Sequence, residues 1–282
     1  MKALLAVVVV LMCGCASARP NEAAQPERFI AGPAGKLRVS DGGAGAALPV
    51  VFVHGLGSSH KAWQAELDRL RPGRRAIAFD LRGHGDSDKP KEETGYSVAA
   101  LTDDLEAVTS ASGLQRFVLV GHSMAGVVLT AYAARHPQQV AGLVYVDAIG
   151  DFHVFPQAMI DQFLAEDDKR TDVHAAFAEM LGPQAPPATR DAVQADVAKM
   201  GLRPFVAIRR SMGGYRAADD IAKYGGPIAC IDTEKEFPGS ACKVIKRGKR
   251  SVIPGVGHWI MLDDPAAFAK AVDAALLAAE QG

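Results

Sequence analysis

Gly121-His122-Ser123-Met124-Ala125-Gly126 follows an apolar run, Phe117-Val118-Leu119-Val120, and opens a helical stretch from Val127 to Arg135. A serine held at so sharp a strand-to-helix turn needs small residues two positions to either side, because strand and helix approach closely there. Gly121 and Ala125 fill those places. Outward from this turn the pattern repeats. Val50-Val51-Phe52-Val53 is a strand ended by His54-Gly55-Leu56-Gly57, Arg75 to Phe79 is a second ended by Asp80, and Gly142 to Val146 and Arg250 to Ile253 are two more. The runs are continuously apolar rather than alternating, as expected of strands buried on both faces of a parallel sheet. Helical signals lie between them: Val98, Leu101, Leu105 and Val108 at three-to-four spacing, and Asp264 as N-cap with Pro265 in the first turn. This order predicts an α/β protein with a doubly wound, mostly parallel sheet. Arg28 to Ala31 and Lys36 to Val39 are expected as an antiparallel edge.

One stretch breaks the rhythm. Asp151 to Gly226 holds no convincing strand, only helix-like pieces separated by Gly182-Pro183, Pro186-Pro187 and Gly213-Gly214. It is read as a helical cap, 151–226, inserted before the last two strands, with the core on either side at 28–150 and 227–282.

The 282 residues carry 31 Lys+Arg and 32 Asp+Glu, a net charge of -1, so there is no electrostatic footprint for nucleic acid or for an anionic membrane. Aromatic residues are 6% of the chain, too few for a single-strand stacking surface. The N-terminus has a different character. Met1-Lys2, an uncharged apolar run from Ala3 to Met12, and Cys13-Gly14-Cys15-Ala16 have the regions of an export signal. The run is too short to span a bilayer core of about 30 Å. Its end resembles a bacterial lipoprotein signal, which implies a signal peptide at 1–14, lipidation of Cys15, and a polar tether at 15–27. The expected location is the cell envelope, facing the periplasm, with that lipid anchor as the sole membrane contact. An oxidising compartment leaves two readings for Cys230 and Cys242: a disulfide contributing about 3 kcal/mol by loop closure, or two unpaired thiols.

Four separated motifs carry a further resemblance: His54-Gly55-Leu56-Gly57, Asp80-Leu81-Arg82-Gly83-His84-Gly85-Asp86-Ser87, the turn at Gly121–Gly126, and Gly255-Val256-Gly257-His258. In this order the chain resembles the α/β-hydrolase family from about Phe29 to Leu277. The resemblance implies Ser123 as nucleophile, His258 as its base, and the backbone N–H groups of Leu56 and Met124 as the oxyanion hole. It implies no cofactor, and a small-molecule acyl substrate such as a carboxylic ester or lactone. The same residues also serve C–C bond hydrolysis, acyl transfer and cofactor-free peroxidation, and a non-catalytic envelope binding protein could retain them. His54 is expected to orient its loop and His122 to pack or to hydrogen-bond the backbone.

The acid that completes the set is assigned to Asp147, with Glu234 and Glu236 as alternatives. The family usually places it after the strand that follows the cap, where Glu234 or Glu236 stands; other members place it at the end of the preceding strand, where Asp147 stands, and Asp151 and Asp232 lie close by. Asp86 and Ser87 are expected to satisfy loop N–H groups. Asp103-Asp104 and Asp263-Asp264 lack His or Cys at ligand spacing, so they are read as helix-face or N-cap residues rather than a metal site. In the cap, Met159, Phe163, Phe177, Met180, Leu181 and Phe205 are candidates for an apolar acyl pocket or for packing among themselves.

Overall fold

The computed structural model describes residues 27–181, 185–235 and 237–282. The expected signal peptide, Cys15 and nearly all of the tether lie outside these residues, as does Glu236.

Eight strands make one sheet: β1 (Glu27–Gly32), β2 (Gly35–Gly42), β3 (Val50–Val53), β4 (Ala76–Phe79), β5 (Phe117–His122), β6 (Val140–Val146), β7 (Ile228–Thr233) and β8 (Lys249–Ile253). Their spatial order is β1-β2-β4-β3-β5-β6-β7-β8. β1 and β2 form an antiparallel edge that joins β4, and β3 through β8 run parallel, each paired with its neighbours in that order. The helices are α1 (Gln64–Leu70), α2 (Val98–Ala111), α3 (Ala125–Arg135), α4 (Gln157–Asp168), α5 (Val173–Leu181), α6 (Pro187–Met200), α7 (Leu202–Gly214), α8 (Ala217–Ile221), α9 (Ala241–Ile245), α10 (Ile260–Asp263) and α11 (Pro265–Gln281).

Strand periodicity explains the layers. Val51, Val53, Ile77, Phe79 and Leu119 point into a core shared with α2 and α3. Val50, Phe52, Ala76, Ala78 and Val118 point into a second core under α1 and α11. Successive side chains leave opposite faces of a strand, so both faces are covered only because both residue sets are apolar.

Helices α4 to α8 all fall between β6 and β7. They do not stand equally apart from the sheet. Ala207, Ile208 and Met212 of α7, and Ala217 and Ile221 of α8, join the core beneath α2 and α3. Phe177, Leu181 and Phe205 are buried, whereas Met159, Phe163 and Met180 are exposed. Cys230 of β7 and Cys242 of α9 are disulfide-bonded, with a Cα–Cα distance of 6.1 Å.

Because β3 to β8 all run the same way, their C-terminal ends lie at one edge of the sheet. The loops from His54, Asp80, Ser123, Asp147 and Pro254 all leave from that edge. Ligands in open α/β sheets bind outside these strand ends.

Candidate active site

Ser123 sits one residue past β5 with φ of 53°, in the left-handed region that a side chain rarely enters. Two backbone bonds fix the turn from outside it: Ser123 N–H donates to Val146 C=O, and Ile149 N–H donates to Ser123 C=O. Steric fit fixes it from inside. A Cβ added to Gly121 would approach Leu129 at 2.7 Å and the Ala125 methyl at 3.0 Å, and one added to Gly126 would run into the Ile149 carbonyl oxygen. The sequence pattern identified the first constraint. The second depends on the loop after β6 and has no local signal.

His258 reaches the serine from the loop after β8. Ser123 Oγ–H donates to His258 Nε2 at 2.9 Å, and His258 Nδ1–H donates to Asp147 Oδ2 at 2.6 Å. Asp147 follows β6 directly and has φ of 39°. That reversal takes its carboxylate out of the strand direction and toward the imidazole. The accepting carboxylate sets the tautomer that leaves Nε2 free to accept from serine.

The other acid candidates are committed elsewhere. Glu234 accepts the Gly255 N–H at 3.1 Å, so it holds the loop bearing His258 and not the imidazole. Asp232 accepts from Arg250 Nε at 2.7 Å. Asp151 accepts the His153 N–H at 2.8 Å and the Ala218 N–H at 3.1 Å.

The His54–Gly57 loop closes the other side of the serine. A Cβ on Gly55 would lie 3.0 Å from Ser123 Cβ and 2.7 Å from His122 Nδ1, so the loop backbone touches the nucleophile turn only because Gly55 has none. His54 ties this loop to the end of β4: its Nδ1–H donates to Gly55 C=O at 2.7 Å, and its Nε2 accepts the Leu81 N–H at 3.0 Å. Within the two turns, the N–H groups of Ser58, Ser123, Gly126 and Val127 are engaged by backbone carbonyls. Those of Leu56 and Met124 take no part in these bonds.

Three histidines behind the site are uncharged. Burial lowers the His54, His84 and His122 pKa values, reaching about 3 for His84. For His122 the neighbouring His258 adds to the effect of burial. Neutral His122 donates its Nε2–H to the His258 carbonyl at 2.9 Å, and the two rings lie 4.5 Å apart.

The expectation for Asp86 and Ser87 holds in part. Ser87 Oγ accepts the Arg38 N–H at 2.9 Å, whereas Asp86 pairs with Lys199 at 2.6 Å. Asp80 serves the loop itself: it accepts from His60 N–H at 2.7 Å and Asp86 N–H at 2.8 Å. Burial alone would raise the Asp80 pKa, but the hydrogen bonds and charge of His60 outweigh it, leaving the pKa at about 2. Asp104 lies on a face of α2, as expected, but on the buried face, where it takes Arg82 through both oxygens, at 2.8 and 2.6 Å. Of the second acidic pair, Asp264 caps α11 through the Ala267 N–H at 2.9 Å. Asp263 turns toward the His258 loop instead and accepts the Gly257 N–H at 2.8 Å. Nothing in the local sequence distinguished these two roles.

Comparison with known proteins agrees with this architecture. The sequence profile of the alpha/beta hydrolase fold matches residues 49–179. The enol-lactonase from Burkholderia xenovorans LB400 superposes with a TM-score of 0.76 at 18% identity, covering 89% of this chain and 100% of that one. A carboxylesterase of Nitrososphaera gargenis gives 0.76 at 19% identity over 90% and 99%. The chain thus has the α/β-hydrolase fold. Epoxide hydrolase 3 of Xenopus tropicalis is 34% identical over 99 residues, 35% of this chain and 27% of its own. A Mycobacterium tuberculosis protein of uncharacterised role is 34% identical over 132 residues, 45% of this chain and 38% of its own. The matched stretches therefore span well under half the length of these relatives.

Proposed function

We propose that this protein is a serine hydrolase acting on a carboxylic ester or lactone through Ser123, His258 and Asp147. The observation that carries this reading is the continuous hydrogen-bond chain from Ser123 Oγ through His258 to Asp147, with the serine on a strained turn. Serine is a weak nucleophile until an adjacent base takes its proton. Ser123 Oγ attacks the carbonyl carbon while its proton passes to His258 Nε2. Asp147 keeps the ring oriented and stabilises the imidazolium. The Leu56 and Met124 N–H groups, free of their own turns, receive the developing oxyanion. His258 returns the proton to the leaving alcohol. Water then attacks the acyl-enzyme, again through His258, and the acid product leaves.

The names of the lactonase and carboxylesterase neighbours support an acyl substrate. Epoxide opening is disfavoured on chemical grounds, since the nucleophile position holds serine and not a carboxylate. The apolar signal and Cys15 make anchoring in the cell envelope part of the same proposal. The Cys230–Cys242 disulfide supports export, because such bonds persist in oxidising compartments. Loss of membrane association in Cys15→Ala is the check on anchoring.

Intact mass after treatment with a fluorophosphonate tests the chemistry. One adduct is expected on the wild type and none on Ser123→Ala. A folded wild type that takes no adduct would overturn the proposal.

A further inference from the structure

The loop that carries His258 contains two glycines, Gly255 and Gly257, and three side chains hold it. Glu234 takes the Gly255 N–H, Asp263 takes the Gly257 N–H, and His122 donates to the His258 carbonyl. His122 ends β5, and Glu234 lies in the turn just after β7. Asp263 also reaches into the cap: its second oxygen, Oδ1, accepts the Thr189 hydroxyl of α6 at 2.8 Å. One carboxylate thus joins the residue before His258 to a cap helix.

The same helix touches the opposite side of the site. Asp196 accepts the Ser59 hydroxyl through both oxygens, at 3.0 and 2.9 Å. Ser59 lies three residues past Leu56, on the loop assigned to the oxyanion hole. Thr189 and Asp196 are seven residues apart, about two turns, so they project from one face of α6. That face meets the core at two points, one on each catalytic loop. Lys199, near the end of the helix, adds an exposed pair with Asp86 at 2.6 Å.

We propose that α6 is a two-point latch: the Thr189–Asp263 and Asp196–Ser59 contacts transmit the seating of the cap to the loops bearing His258 and Leu56, and Asp263 is a positioning residue for His258. The inference rests on the serine hydrolase reading. When Thr189 is in place, both oxygens of Asp263 are engaged and its carboxylate cannot rotate away from Gly257. When the cap lifts, Asp263 loses the Thr189 brace on Oδ1, and its bond to the Gly257 N–H rests on a carboxylate held at one oxygen only. A substrate that seats the cap thereby completes the base.

The test uses the full chain, p-nitrophenyl butyrate turnover and fluorophosphonate labelling. Thr189→Val keeps the side-chain shape and removes the hydroxyl. It is expected to lower kcat and the labelling rate together by about tenfold, with KM changed less than twofold, because displacing a reacting group by a fraction of an ångström is costly. Asp263→Ala is expected to lose about a hundredfold. Adding Thr189→Val to Asp263→Ala is expected to cost nothing further, since both act through one bond. A Thr189→Val protein that melts lower but labels at the wild-type rate would sink the latch, as would multiplicative losses in the double variant. If Asp263→Ala does not fold, Thr189→Val and Asp263→Asn decide the matter on the same readouts. A wild type that is not labelled defeats the serine hydrolase reading itself, whereas a labelled wild type with an equally labelled Thr189→Val defeats only the latch.

Discussion

The ends of β6 and β7 lie side by side, with Val146 in register with Ile231, and each strand end carries an aspartate. Asp147 breaks from the strand with a left-handed φ and hydrogen-bonds His258. Asp232 continues the extended strand beside β8 and is neutralised by Arg250. Burial raises the Asp232 pKa, Arg250 opposes that rise, and the nearby charge of Asp147 adds to it. Residue type and position along the paired strands are the same at the two sites, although Asp232 is the more buried of the two. The difference comes from the backbone turn and from the partner across the next strand. A carboxylate already satisfied by a guanidinium has little to offer an imidazole, whereas one turned out of the ladder can orient it.

The most severe test of this contrast exchanges each carboxylate for its amide. Asp147→Asn is expected to lower kcat by about 10⁴, through the wrong imidazole tautomer, while leaving substrate binding nearly intact. Asp232→Asn is expected to retain kcat within a fewfold. Equal kcat losses in steady-state assays would erase the distinction between the two strand ends.

A second test removes the support that β7 lends to the Asp147 loop. Gly150 N–H donates to Gly239 C=O and Ala241 N–H to Ala148 C=O, so residues 239–241, just before Cys242, lie along residues 148–151. The disulfide closes a loop of 12 positions, and replacing both cysteines by serine is expected to cost about 3 kcal/mol in denaturant unfolding. An unchanged midpoint would show that the strap holds without its covalent tie.

Acid tests the three buried histidines behind the site. His84 titrates at about 3 in the folded protein against 6.5 when unconstrained, because burial disfavours its charge. Between those values the unfolded chain holds the proton and the folded chain does not. Stability therefore falls as pH drops from about 6.5 toward about 3, by up to about 1.4 kcal/mol per pH unit for such a group, and is indifferent to pH above that window. His54 and His122 shift the same way. Melting temperature across pH 4 to 8 reports the slope and its sign. Because His122 stays neutral, the acid limb of log kcat/KM is expected to have a slope of one; a slope of two would mean that His122 takes up a proton as well.

The smallest effect is expected at Glu234. Its amide variant still presents an oxygen to the Gly255 N–H, so Glu234→Gln is expected to change kcat less than about threefold, within the range of a single weakened hydrogen bond. A loss approaching that of Asp147→Asn would move the acid from the end of β6 to the turn after β7.

Much of the fold was legible in the sequence because apolar periodicity and turn chemistry are local. Val50–Val53 and Phe117–Val120 read as buried strands from their continuous β-branched and apolar runs, and Gly121 and Ala125 marked the serine turn. The antiparallel edge and the cap insertion before the last two strands followed from the same patterns. Asp263 and Asp104 were not legible. Asp263 looked like a neighbour of an N-cap, and its two partners, Gly257 and Thr189, lie on different elements. Asp104 sat in an amphipathic helix and gave no sign that Arg82 would bury it.

The sequence by itself determined the layers and the sheet edge at which function resides, and its resemblance to the α/β-hydrolase family implied Ser123 as nucleophile and His258 as base. The strands and the serine turn are written in contiguous residues whose spacing has few physical solutions. Which carboxylate meets His258, and which cap residues meet the catalytic loops, was decided only by tertiary structure. Asp147, Asp232 and Glu234 lie within one small region, all able to accept a hydrogen bond. Their roles depend on a positive φ, on Arg250 one strand away, and on the path of the loop after β8, and none of these interactions is encoded next to the residue it commits.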